Sequence, residues 1–197
     1  MALGTFQDVH AFLDHLLVRP VFVTEAAPIR TTPRRVNLAF NGAAWNTHNF
    51  LQDQTNCYAY ALNCPEAGWA IPGQLASHKR NVPANMRVSA RTIHNRLMKD
   101  GLIVINEQQA LSGKFHAIAV VIAPNLDCHF YRRDMDGTWS DKGGRDAAAR
   151  NPTITVPSRD ALGQKYLKFG GYYAVPPHGI QYRPRLRIPE PLLQFFG

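Results

Sequence analysis

Three cysteines in 197 residues, at positions 57, 64 and 128, are too few and too irregularly spaced for a disulfide framework. Their odd count favours a reducing compartment, where thiols stay free. No apolar run approaches the roughly 18 residues of a membrane span. The N-terminus, MALGTFQDVHAFLDHLL, lacks the basic-then-apolar order of a secretion signal. The chain is therefore expected in the cytoplasm, or exported without a cleaved signal peptide by a specialised system. C-x2-C and H-x3-H pairs are missing too, which argues against a metal site built from Cys57, Cys64, Cys128, His116 and His129. Charged residues reach only 18% while apolar residues reach 45%, so a packed core is expected and disorder is not. No internal repeat or composition shift divides the chain into two domains.

What charge there is leans one way. A net charge of +8 attracts anionic partners such as nucleic acid, a phospholipid surface or a cell-wall polymer. The positive residues are scattered, with the densest groups at Arg30, Arg34 and Arg35, at Lys79 and Arg80, and at Arg183, Arg185 and Arg187 in the tail. Tyr58, Tyr60, Phe130, Tyr131 and Trp139 can stack on bases, but aromatic and basic residues interleave only at HFYRR. No nucleic-acid motif accompanies them. A non-catalytic polyanion-binding module stands as an alternative reading.

Phe6, Val9, Phe12, Leu13, Leu16 and Leu17 recur at helical spacing and predict a helix over 6–17. Pro20, Pro28 and Pro33 mark an extended connection, and 36–56 shows no period of either kind. A short helix is expected to start near Asn56 and end by Pro65, followed by loop over 65–88. Ser89 can cap a helix that runs to Asp100 and that Gly101 ends. The pattern then turns to a strand or a helix-to-strand transition at 102–105, and to strands at 115–123 and, after a tight turn, at 127–133. A further strand at 153–156, a short helix over 158–169 and a strand at 171–175 complete the core. WSDKGGRDAA, 139–148, reads as a loop near the cleft. Helices first and antiparallel strands after predict an α+β fold. One domain is expected, with an N-terminal helix and linker over 1–47, a core over 48–175 and an extended tail over 176–197.

The stretch DQTNCYAYALN places Cys57 at a helix start. That position favours negative charge, and the thiolate is the reactive form of a thiol. Small residues in YAYAL let the helix lie close under a sheet. His116 opens the apolar strand FHAIAVVIA, sharing a face with Ile118, Val120 and Ile122, where a general base can be mounted on a fixed element. On the next strand Asp127, His129, Tyr131 and Arg133 share a face. His129 is placed to hold the second ring nitrogen of His116. Asp127 is the alternative, and Asp134 a more distant one.

A cysteine at a helix start, a histidine opening an antiparallel strand and a polar residue on the following strand resemble the order of papain-like cysteine peptidases. The compact spacing over about 48–133 is similar to the NlpC-type cell-wall peptidase branch, though Asn56 and Tyr58 replace that branch's usual neighbours of the nucleophile. The segments NCYAYALN and HFYRRDMDGTWSDKGG also resemble uncharacterised bacterial proteins of this superfamily. The resemblance implies a papain-like fold, with the nucleophile helix packed on an antiparallel sheet. It implies a thiol hydrolase that cleaves an amide or peptide bond through a thioester. Cys57 would be nucleophile, His116 base and His129 the third member, with Gln52 and the Cys57 N–H holding the oxyanion. No cofactor and no metal are implied. Substrates would be protein, peptide or cell-wall peptide, and a bacterial effector or toxin is one setting. Deamidase, transglutaminase and acyltransferase chemistry share the same thioester step.

Overall fold

The computed structural model describes residues 21–23, 27–32, 38–46, 48–77, 88–151, 153–154, 158–159, 165–189, 193 and 195–196. The helix expected over 6–17 lies outside them, as do Arg34, Arg35, Lys79 and Arg80.

The architecture is α+β, with short helices packed on an antiparallel sheet. The helices are α1 (Gly42–Asn46), α2 (His48–Gln54), α3 (Cys57–Ala61), α4 (Ala90–Lys99) and α5 (Glu107–Leu111). The main sheet has the order β3 (Ile103–Ile105), β10 (Lys168–Val175), β4 (His116–Ala123), β5 (Asp127–Arg133), β6 (Trp139–Lys142) and β7 (Ala148–Asn151). Every pairing is antiparallel.

β4 is buried at every position because both faces of the sheet are covered. Ile118, Val120 and Ile122 join Tyr58, Leu62, Ile93 and Leu97 on the face that carries α3 and α4. Ala117, Ala119 and Val121 point the other way, towards Ile105, Tyr131, Trp139 and Tyr166. A strand with two apolar neighbours reads as a continuous apolar run, and this one does. α4 forms because Ser89 and Thr92 make a reciprocal capping box, and Gly101 leaves it at φ 92°. Its buried residues, Ile93 and Leu97, are one turn apart.

The sequence and the fold part company in four places. Two helices, α1 and α2, occupy the stretch that has no visible period. Where a helix is expected over 158–169, the described residues form strands: β8 (Ser158–Arg159) pairs with β9 (Lys165–Tyr166), and β10 starts at Lys168. The alternation of buried Tyr166 with exposed Leu167 is the strand period. The expected loop 139–148 forms β6 and the start of β7, leaving only the turn between them as loop. Of the strand expected at 153–156, Thr153 and Ile154 are irregular and the rest lies outside the described residues.

Two short strands in the tail close back on the first part of the chain, while after Pro189 the chain turns, with the Leu193 N–H bonded to the Pro189 carbonyl. β11 (Gln181–Tyr182) pairs with β2 (Arg30–Thr31), and β12 (Leu186–Arg187) pairs with β1 (Val21–Phe22). Gly179 permits this return. It sits at φ +75°, and a Cβ there would stand 1.9 Å from the Thr32 carbonyl oxygen.

Candidate active site

α3 starts at Cys57 because Asn56 caps it. Asn56 is extended, and its side-chain oxygen accepts the N–H of Ala59 at 3.1 Å. The Asn56 amide donates to the Ala70 carbonyl at 2.8 Å, which ties the helix start to the loop forming one wall of a cleft. Cys57 is the partly exposed cysteine of the three. Burial pushes the Cys64 thiol up to about 12 and holds Cys128 well above its ordinary value, so neither is set up as a nucleophile.

The histidine beside Cys57 is His129. Its Nε2 lies 2.6 Å from Oδ2 of Asp141, a residue of β6, and its ring interacts with the Cys57 side chain. Tyr131 meets the ring edge-on at 5.0 Å between centroids, and Tyr166 lies against it at 5.6 Å. Burial alone would lower the imidazole pKa. The hydrogen bonds to Asp141 and Cys57 outweigh it and raise the pKa to about 10. Asp141 is itself held, because Asn151 Nδ2 donates to its other oxygen. The order is thus thiol, imidazole, carboxylate.

His116 does not join them, which corrects the expected base. Its Nε2 donates to the Ala61 carbonyl at 2.8 Å, at the opposite end of α3 from Cys57. Val121 is the residue of β4 that pairs with His129. His116 stands five residues further along the strand, about 16 Å at the strand rise. His129 therefore takes the position beside Cys57 instead of orienting His116. Asp127 lines the same cleft, but its carboxylate accepts the N–H of Cys128 at 2.8 Å and the Tyr166 hydroxyl at 3.2 Å. Asp134 is buried against Arg132 at 3.1 Å. Gln52 is not part of the cleft lining; its amide donates to the Arg145 carbonyl at 2.9 Å.

The cleft holds about 540 Å³ and is lined by the partly exposed Cys57, the buried His129, the Trp69–Pro72 loop and the Gly143–Asp146 turn. Both Cys128 and His129 line it, though they point to opposite faces of β5. The cleft therefore runs along the edge of that strand. The register explains why the edge is open: β6 pairs with β5 only from Tyr131 to Arg133.

Two residues of this site were missed in the sequence, Asp141 and Lys142. Trp-Ser-Asp-Lys followed by paired glycines carries the signal, since a strand there puts Asp141 on the face of Trp139 and Lys142 on the other. Among the described residues no group of three or more His, Cys, Asp or Glu could hold a metal ion. No helix among them is long and apolar enough to cross a membrane.

Fold and site together describe an α+β chain with a cysteine–histidine–aspartate constellation at the floor of an aromatic-rimmed cleft. Over 153 residues the chain is 31% identical to "Insoluble matrix shell protein 1" of Ruditapes philippinarum, a match covering 75% of this chain and 97% of that protein. The chain belongs to the same family as that protein. No family model and no solved structure matches it.

Proposed function

We propose that the chain is a cysteine-dependent acyl-transfer enzyme that hydrolyses an amide or peptide bond through a thioester. The observation that carries the reading is the His129 ring, held between the Cys57 thiol and the Asp141 carboxylate. Sγ of Cys57 attacks the substrate carbonyl carbon. The His129 imidazolium gives its proton to the leaving amine as the carbon–nitrogen bond breaks. The imidazole then takes a proton from water, which attacks the thioester and releases the acid and the thiol. Asp141 fixes the ring and stabilises its charged form. The Cys57 N–H lies in the first turn of α3, where no intrahelical acceptor exists, and can face the oxyanion. A nucleophile helix, a histidine strand and a carboxylate on the next strand repeat the papain-like order. It lies one strand further along than the sequence suggested. A papain-like fold is the finer reading that this order supports.

A second reading keeps the thioester and replaces water by an amine. The family relative is named as an insoluble matrix protein, and joining acyl groups to amines would make a matrix insoluble. The cleft rim, with Trp69 and the carboxylates of Asp127 and Asp146, suits an alkylammonium side chain. Neither reading requires a bacterial effector or toxin, and neither needs a cofactor.

The test is the rate of iodoacetamide alkylation at each cysteine, followed by mass spectrometry against pH. Cys57 is expected to react fast, to slow in His129→Ala and to keep its rate in His116→Ala. A Cys57 that reacts no faster than an unperturbed thiol, in wild type and variants alike, sinks the enzyme reading in favour of binding or matrix structure.

A further inference from the structure

Lys142 is fully buried, yet it ends β6 next to Gly143, which lines the cleft. Its Nζ donates to the Gln52 carbonyl at 2.6 Å, to the Thr55 carbonyl at 2.8 Å and to the Gly144 carbonyl. Three acceptors need three N–H donors, and only the ammonium form has them. The acceptors come from separate pieces of the site. Gln52 is in the last turn of α2, Thr55 lies two residues before Cys57, and Gly144 is in a turn that lines the cleft.

The last carbonyls of a helix have no partner within it, and they carry partial negative charge. At the end of α2 they are taken up in turn. Thr55 Oγ1 donates to Leu51, Lys142 to Gln52, and the Trp69 indole to Asp53 at 2.8 Å. Trp69 and Gly144 both line the cleft and stand close together, since a Cβ on Gly144 would lie 3.7 Å from the Trp69 ring. The junction that carries the nucleophile is thus anchored to two segments that line the cleft, and Lys142 is the anchor to the glycine turn.

We propose that Lys142 is a positioning residue for Cys57: its buried ammonium ties the α2–α3 junction to the Gly143–Asp146 turn, fixing the thiol against His129 and the cleft at its working width. The inference rests on the reading of Cys57 as nucleophile. The charged groups facing Lys142 are Cys57, Asp146 and Asp53, all of which favour the ammonium, while burial opposes it and lowers the pKa to about 8. The three carbonyls hold the proton on the nitrogen near neutral pH. Loss of that proton, at about pH 8, leaves two N–H donors for three carbonyls, so the clasp loosens there.

The experiment compares wild type, Lys142→Met and Lys142→Ala. Lys142→Met keeps most of the volume and loses the charge. It is expected to slow alkylation of Cys57 about tenfold at pH 7 and to move its pH profile upward, because the thiolate loses a nearby cation. Alkylation of Cys64 and Cys128 in unfolded controls stays unchanged. Propylammonium has the atoms that Lys142→Ala lacks, and it is expected to restore the Cys57 rate in that variant. A packing role alone would give neither the moved profile nor rescue by an amine and not by propanol. If the variants do not fold, wild-type hydrogen exchange decides. Corrected for intrinsic rates, exchange at 55–57 and at 143–146 is expected to rise together as pH passes about 8. Fast Cys57 in wild type with the same rate and profile in folded Lys142→Met overturns the inference and leaves the enzyme reading standing. Independent exchange of the two segments overturns it as well. A slow Cys57 in wild type removes the enzyme reading itself.

Discussion

Asp141→Asn is the substitution that separates a working imidazole from a buried structural one. Asp141 accepts from two donors, His129 Nε2 on Oδ2 at 2.6 Å and Asn151 Nδ2 on Oδ1. An asparagine has one oxygen, so one donor must face an NH2 group. A hydrogen bond to a charged group is worth about 1.5–3 kcal/mol. At about 1.4 kcal/mol per tenfold, that predicts a fall of about one to two pH units in the His129 midpoint, now about 10. Alkylation of Cys57 at pH 7 should slow by about ten- to a hundredfold, because thiolate and imidazolium form as a pair. The imidazole midpoint is read by NMR and the thiol rate by mass spectrometry. The stability readout has a definite sign. A raised imidazole pKa contributes stability that is fully present below its unfolded value, about 6.5, and lost as pH rises through about 10. The unfolded value is common to both proteins, so the denaturation gap between wild type and Asp141→Asn stays full up to the variant's own midpoint, about one to two units below that of wild type, and closes between there and about pH 10. Lys142 titrates in both proteins and cancels in the difference. A gap that stays constant across that range, with an unmoved midpoint and an unslowed thiol, refutes the charged pair.

Two further substitutions test the surroundings. His116→Ala should cost about 1–3 kcal/mol in chemical denaturation, since it strips the Ala61 carbonyl of its buried partner, without slowing Cys57. Arg132→Met should be far worse, at about 3–5 kcal/mol, because it strands the buried Asp134 carboxylate. Arg132 also bonds Asn63 at 3.0 Å and Asn41 at 3.2 Å and covers the Tyr60 ring, so the loss should show as lowered thermal stability of the whole chain.

The elements that could be read from the sequence are those whose signals are local. Asn56 and Ser89 are N-caps written next to the helices they start, and β4 is an unbroken apolar run. α1 and α2 are anchored from afar instead. Trp45 stacks edge-on against Tyr60 and Phe196, each at 5.0 Å, and nothing near it in sequence announces that. β6 looked like a loop because it is polar. Its Ser140 meets the Tyr60 hydroxyl at 2.7 Å and its Lys142 meets carbonyls about ninety residues away, so its burial depends on partners the local pattern does not contain. The same gap explains the site. Cys57 and the strand faces could be read, but which end of β4 or β5 meets the start of α3 is a matter of packing. His116 met the wrong end of the helix.

Facing alone would not bring His129 to Cys57. α3 lies on the side of the sheet where β5 presents Cys128 and Phe130, and His129 points to the other side with Tyr131. Thiol and imidazole meet because the edge of β5 is uncovered beyond Tyr131, so the side chain of Cys57 reaches the ring past the strand's rim. Gly143 and Gly144 end β6 at that point. Gly144 takes the left-handed φ of +44°, and a Cβ on Gly143 would stand 2.8 Å from Asp146 Oδ2. The turn they make ends the pairing with β5 and lines the cleft. The paired glycines therefore open the edge, Asp141 just before them orients the imidazole across it, and Lys142 clasps the turn to the segment that carries the thiol. Four consecutive residues of one strand end, Asp141 to Gly144, supply what the isolated Cys57 and His129 lack.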